Sequence, residues 1–141
     1  MRDMFNMHNI RPLDAYGSGE FGASRGDRTH VGTDFIAAAN EPVHSPVIGT
    51  VTKLGYPYGD DLSFRYVEVE DADHYRHRFF YVEPMIAVGD SVLVGKRLGT
   101  VQSLQKRYAG IIDHVHLEIK HNGEFISWPR TQREHFRGDP R

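Results

Sequence analysis

Two short pairs of side chains carry the chemistry this sequence could perform: His30-x-x-x-Asp34 near its start and His114-x-His116 near its end. Two imidazoles and one carboxylate hold zinc while leaving its fourth tetrahedral position open to a water, whose pKa the metal lowers toward about 7. Such a set points to metal-assisted hydrolysis. The chain has no cysteine from which a rival zinc site could be built.

The pairs must be held by strands. From Asp113 to Lys120 polar and apolar residues alternate, and successive side chains of a strand face opposite ways. His114, His116 and Glu118 therefore share one face, and Val115, Leu117 and Ile119 share the other. Imidazoles two residues apart on a strand have Cα atoms about 6–7 Å apart, so one can bind the metal while its neighbour reaches the bound water or the substrate. Around the first pair, Val31, Gly32, Thr33 and Phe35 are poor helix formers, and all but Gly32 suit a strand. A strand there projects His30 and Asp34 to one face across Gly32, whose missing side chain leaves room for the metal. Nine histidines in 141 residues make either pair unremarkable alone. Both pairs together, each backed by an apolar face, are far more specific.

Further strands are expected over 47–54, 64–70, 75–82, 97–102 and 114–120, separated by turns rich in glycine, proline and aspartate. One helical turn is expected over 103–108. The result is an all-β protein, a sheet-dominated antiparallel sandwich that brings distant pairs together. Ile48-Gly-Thr-Val51 recurs as Leu98-Gly-Thr-Val101, a short echo consistent either with duplicated architecture or with coincidence. A hydrophobic fraction of 39% with fourteen glycines and seven prolines suits one turn-rich domain. His44, His74, His77, His121 and His135 read as surface or loop residues. Phe79-Phe80-Tyr81 reads as core and strand without a binding role, and Trp128 as a cap on the core.

Several motifs in one order resemble the lysostaphin/LytM-type zinc metallopeptidases, which are peptidoglycan endopeptidases. The resemblance runs from about Phe21 to about Pro129. It rests on Phe21-Gly-Ala-Ser-Arg25 leading to His30-Val-Gly-Thr-Asp34, on Pro42-Val-His-Ser-Pro-Val-Ile-Gly-Thr-Val51, and on Val88-Gly-Asp90 through Leu98-Gly-Thr-Val101. His114-Val-His-Leu-Glu118 and Asn122-Gly-Glu-Phe-Ile126 complete it. The resemblance implies a β-sandwich with a duplicated, barrel-sandwich-like motif and little helix. It implies a Zn2+ ion held by His30, Asp34 and His116, with His114 as a catalytic histidine beside the water. The family's second catalytic histidine lies in a Tyr-x-His-Leu element, and the matching stretch here is taken as Tyr81-Val-Glu-Pro84, so Glu83 stands where histidine is usual. A carboxylate there can serve as general base, although its charge opposes the anionic intermediate. The domain organisation expected is an N-terminal segment over 1–20, a zinc metallopeptidase domain over 21–129 and a polar tail over 130–141.

The expected function is hydrolysis of a peptide bond in the peptidoglycan stem or cross-link, with a D-alanyl cross-link the favoured bond. The alternative is a catalytically degenerate wall-binding or hydrolase-activating module on the same fold, which the glutamate at 83 would explain. A swinging-arm carrier of the lipoyl or biotinyl kind is set aside, because Lys53, Lys96, Lys106 and Lys120 all lack a neighbouring methionine. The net charge of -2 comes from 17 basic and 19 acidic residues mixed along the chain, which offers no polybasic stripe for nucleic acid. The arginines at 130, 133, 137 and 141 are interrupted by Glu134 and Asp139 and read as a solvated tail. No run reaches membrane-spanning length and no export signal is visible between Met1 and Ile10. The expectation is a monomer made in the cytoplasm that reaches the wall through a membrane pore or on a virion, as a phage lysis or entry protein does.

Overall fold

A computed structural model describes residues 10–12, 14, 16–23 and 30–127, and among them it shows ten strands and no helix. In chain order these are β1 (Thr33–Ile36), β2 (Pro42–His44), β3 (Gly49–Gly55), β4 (Tyr66–Glu70) and β5 (Arg76–Phe80), followed by β6 (Val82–Pro84), β7 (Ser91–Val92), β8 (Arg97–Val101), β9 (His114–His121) and β10 (Glu124–Ile126). All pairings are antiparallel. The larger sheet has seven strands in the order β1-β9-β5-β4-β3-β7, with β10 also on β9; the smaller sheet is β2-β8-β6. Strand β5 covers one edge of β9, so β1 and β10 share the other, β1 along 114–117 and β10 along 119–121.

The sandwich follows from alternation. Val67 and Val69 of β4, Phe79 of β5 and Val115, Leu117 and Ile119 of β9 point inward from the large sheet, and Val43, Val82, Leu98 and Val101 meet them from the small one. Each is 2% exposed or less, so a side chain such as Leu117 contributes about 1.5–3 kcal/mol by burial. The same alternation buries His77, two residues before Phe79, which is fully enclosed with its Nε2 on Asp71 at 3.1 Å. The expectation of a surface histidine there is corrected by the strand's own period.

Each of the five strand expectations has a counterpart, in β3, β4, β5, β8 and β9. The stretch 75–82 is broken at Tyr81, whose φ of 71° ends β5 and hands the chain to β6 in the other sheet. The amides of Tyr81 and Val82 both donate to the Arg65 carbonyl, at 2.9 and 3.2 Å, which fixes the switch. Over 103–108 there are turns rather than a helix. The Leu104 carbonyl accepts from the amides of Arg107 and Tyr108, the Asp113 carboxylate caps the Leu104 amide at 2.8 Å, and the turn ends at Gly110, whose φ of 85° is left-handed.

The sequence echo has matching surroundings in the two sheets. A Cβ on Gly49 of β3 would collide with the Glu70 carbonyl, and one on Gly99 of β8 with the Glu83 carbonyl, so each glycine admits a neighbouring backbone that no other residue would. Ser24, Arg25, Trp128, His135 and the 130–141 tail lie outside the described residues.

Candidate metal centre

Cross-strand register assembles the site. Asp34 of β1 lies opposite His116 of β9, and Phe80 of β5 lies opposite His116 on its other side. His30 precedes β1 instead of lying in it; its amide donates to Ala23 and its carbonyl accepts from Gly22. Gly32 between them leaves room, as expected, but the neighbour that fills it is the His116 imidazole, which a Cβ on Gly32 would strike.

The donor atoms converge. His30 Nε2 is 2.9 Å from His116 Nδ1 and 3.2 Å from Asp34 Oδ1, and His116 Nδ1 is 2.8 Å from Asp34 Oδ1. The opposite ring nitrogens are committed: His30 Nδ1 donates to the Glu20 carbonyl at 3.0 Å and His116 Nε2 to Glu118 Oε1 at 2.9 Å. A carbonyl or carboxylate can only accept, so each histidine spends its proton outward and turns a lone pair inward. Two imidazole lone pairs and a carboxylate oxygen then face one another, an arrangement that requires a cation or a proton between them. Ligand atoms about 2.0–2.2 Å from a tetrahedral zinc lie about 3.3–3.6 Å apart, so the 2.8–3.2 Å spacing here need widen only by a few tenths of an ångström to seat the ion. The residues therefore fit a metal ion, with orienting partners already in place behind both imidazoles.

Electrostatics agree. Burial alone would push Asp34 up, but hydrogen bonds to His116 and His30 and the charges of His114 and His116 outweigh it and hold the carboxyl far below its ordinary range. Burial would lower His116, yet its bonds to Asp34 and Glu118 push it up to about 9, the proton filling the place of a cation. His114 behaves oppositely: burial pushes it down, and the Asp34 charge only partly offsets this. Its Nδ1 donates to the Ile112 carbonyl at 2.7 Å, leaving a lone pair on Nε2, 3.5 Å from Asp34 Oδ2. The site opens on the side of His116 and Glu118, whose side chains are 12% and 16% exposed against 3% for Asp34.

The structure thus brings His30, Asp34, His116 and His114 together and leaves Glu83 elsewhere. Glu83 sits on β6 opposite Thr100, with Oε2 3.4 Å from Gln102 Nε2, in a shallow recess with Asn40, Ser63 and Lys106. The sheet switch at Tyr81 is the reason, since it places residue 81 and not 83 beside the histidines. The Tyr81 ring meets His114 edge-on at 5.5 Å and lies 6.5 Å from His116, and Phe80 meets His116 at 5.1 Å. Tyr81 is hydrogen-bonded to the Tyr58 hydroxyl, which also pairs with Tyr108, each at 2.8 Å. Burial pushes the Tyr81 phenol up to about 12. Sequence reading assigned Phe80 and Tyr81 no role; in a strand that carries Phe79 inward, alternation would have put Phe80 on the histidine face.

Comparison with known proteins fits this geometry. The family model of peptidase family M23 matches residues 28–128. Mouse leukocyte cell-derived chemotaxin-2 is 32% identical over 111 residues, covering 79% of this chain and 73% of that protein, and its bovine counterpart is 30% identical over the same span lengths. Among solved structures, the catalytic domain of lysostaphin from Staphylococcus simulans superposes with a TM-score of 0.63 at 20% identity, covering 87% of this chain and 90% of that one. The catalytic domain of EnpA from Enterococcus faecalis gives 0.62 at 22%, covering 79% and 86%. With the family match spanning most of the sandwich and both halves of the converging set, this chain belongs to peptidase family M23.

Proposed function

We propose that this protein is a zinc-dependent endopeptidase acting on a peptide bond of the peptidoglycan stem or cross-link. The observation that supports it is the meeting of three inward-facing acceptor atoms, on His30, Asp34 and His116, beside a fourth lone pair on His114. When bound there, zinc supplies a Lewis acid for the scissile carbonyl and an acidified water. His114, kept neutral by burial, accepts the water's proton at Nε2 and returns it to the leaving amine. The Ile112 carbonyl holds its ring in that tautomer. Tyr81 stays protonated at neutral pH, so it can donate a hydrogen bond but cannot act as a second base.

That last point favours a second reading, a module that binds zinc and wall peptide without turnover. The relatives at 30–32% identity are named leukocyte cell-derived chemotaxin-2 and not as hydrolases. The test is elemental analysis for zinc, followed by release of new amino groups from purified peptidoglycan, with His114→Ala as the control. Zinc near one equivalent with amine release that His114→Ala abolishes upholds the peptidase. Zinc retained with sedimentable binding to peptidoglycan and no new amines upholds the module.

A further inference from the structure

Arg11 is 2% exposed, and its guanidinium spends its donors on the metal centre's surroundings. Nε and Nη2 both donate to Asp34 Oδ2, at 3.1 and 3.0 Å, and Nη1 reaches the Gly17 carbonyl and Asp14 Oδ1, each at 2.7 Å. The backbone reinforces this contact: the Arg11 amide donates to the Asp34 carbonyl at 2.7 Å, Gly19 to the Arg11 carbonyl at 2.8 Å, and Asp34 to the Gly19 carbonyl at 2.8 Å. The same stretch supplies the Glu20 carbonyl that orients His30. Asp14 accepts from the amide of Ile112, whose carbonyl orients His114. Arg11, Asp14, Gly17, Gly19 and Glu20 all precede the span matched by the family model.

We propose that Arg11 is a positioning residue of the metal centre, fixing Asp34 as a ligand through Oδ1 alone, and that the stretch carrying Arg11, Asp14 and Glu20 is the centre's outer shell. Asp34 divides its two oxygens between these tasks: Oδ1 faces the His30 and His116 imidazoles, and Oδ2 faces the fork, with His114 Nε2 farther off at 3.5 Å. A carboxylate free to rotate could chelate through both oxygens and crowd the open position. The fork removes that choice, and outer partners of this kind govern affinity strongly. Stability alone does not explain Arg11, since buried ion pairs contribute little against apolar packing.

This rests on the metal reading above, and the test separates the two. Zinc affinity is measured by competition with a chromophoric chelator, and the visible spectrum of the Co2+-loaded protein reports coordination number. Arg11→Gln is expected to bind zinc about 10–100-fold more weakly and to shift the cobalt spectrum toward five-coordination. Arg11→Lys, which keeps the charge and loses the fork, should fall between. If Arg11→Gln lacks a folded baseline, Arg11→Lys is read in its place. Parent affinity with an unchanged cobalt spectrum overturns the proposal, as does a loss confined to the melting point of the metal-free protein. If the parent chain binds no zinc, the metal reading fails first.

Discussion

Replacing Gly32 with alanine tests whether the centre's geometry is set by β1 and β9 together. A methyl there would stand 2.5 Å from Cε1 and 2.6 Å from Nε2 of His116, and 2.7 Å from the Leu117 carbonyl oxygen. Favourable contact begins near about 3.5 Å, so something must retreat by about 1 Å. The Leu117 carbonyl cannot easily do so, because Leu117 is in register with Thr33 in the sheet. The imidazole is left to move, by about half the length of a zinc–nitrogen bond of about 2.0–2.1 Å, and it would strain its bond to Glu118. Overpacking of this kind costs about 1–3 kcal/mol. Charged to folding, it lowers the melting point by about 4–12 °C in a domain of this size; charged to the metal, it weakens zinc about 5–150-fold. The fall in unfolded-chain entropy that favours alanine returns only about 0.4–1 kcal/mol. Differential scanning calorimetry with and without zinc, alongside chelator competition, reads both quantities. A Gly32→Ala protein that melts like its parent and binds zinc as tightly would refute the reasoning.

Other outcomes follow from the same geometry. Because His116 is pushed up to about 9 when no metal is bound, zinc must displace its proton, and apparent affinity should rise about tenfold per pH unit from pH 6 to 8; a flat profile contradicts this. In the metal-free protein the sign reverses: the raised pKa stabilises the fold fully below about pH 6.5, and that stabilisation is lost as pH climbs through about 9, which melting points across the range will show. Glu83→Ala should leave zinc affinity and any hydrolytic rate within about twofold, and a tenfold loss would place the carboxylate in the reaction after all. Tyr58→Phe removes the hydroxyl shared by Tyr81 and Tyr108 and should cost about 1–3 kcal/mol in urea unfolding.

Much of this was legible in period-two patterns. The alternation from Asp113 to Lys120 separates the histidine face from the core face, and burial confirms Val115, Leu117 and Ile119 inside. Local pattern cannot see the partner across a sheet, however. Gly32 reads as a gap, and only the β1–β9 register shows which ring fills it. The short motif puts Glu83 where histidine is usual, but the backbone leaves the ordinary strand conformation at Tyr81 and carries Glu83 into the smaller sheet, away from the histidines. No propensity signals a positive φ at a tyrosine. Arg11 was hidden for another reason: an arginine in a polar stretch reads as solvated until the carboxylate that buries it is known.

Strand β9 has two jobs on opposite faces, and there is no residue to spare between them. Slipping its pairing by a single step would thrust imidazoles into oil and leave valine staring at a cation. No half-right alignment can survive such an exchange, so an ion captured late in folding would act as a proofreader, locking in the one alignment that presents nitrogen to it.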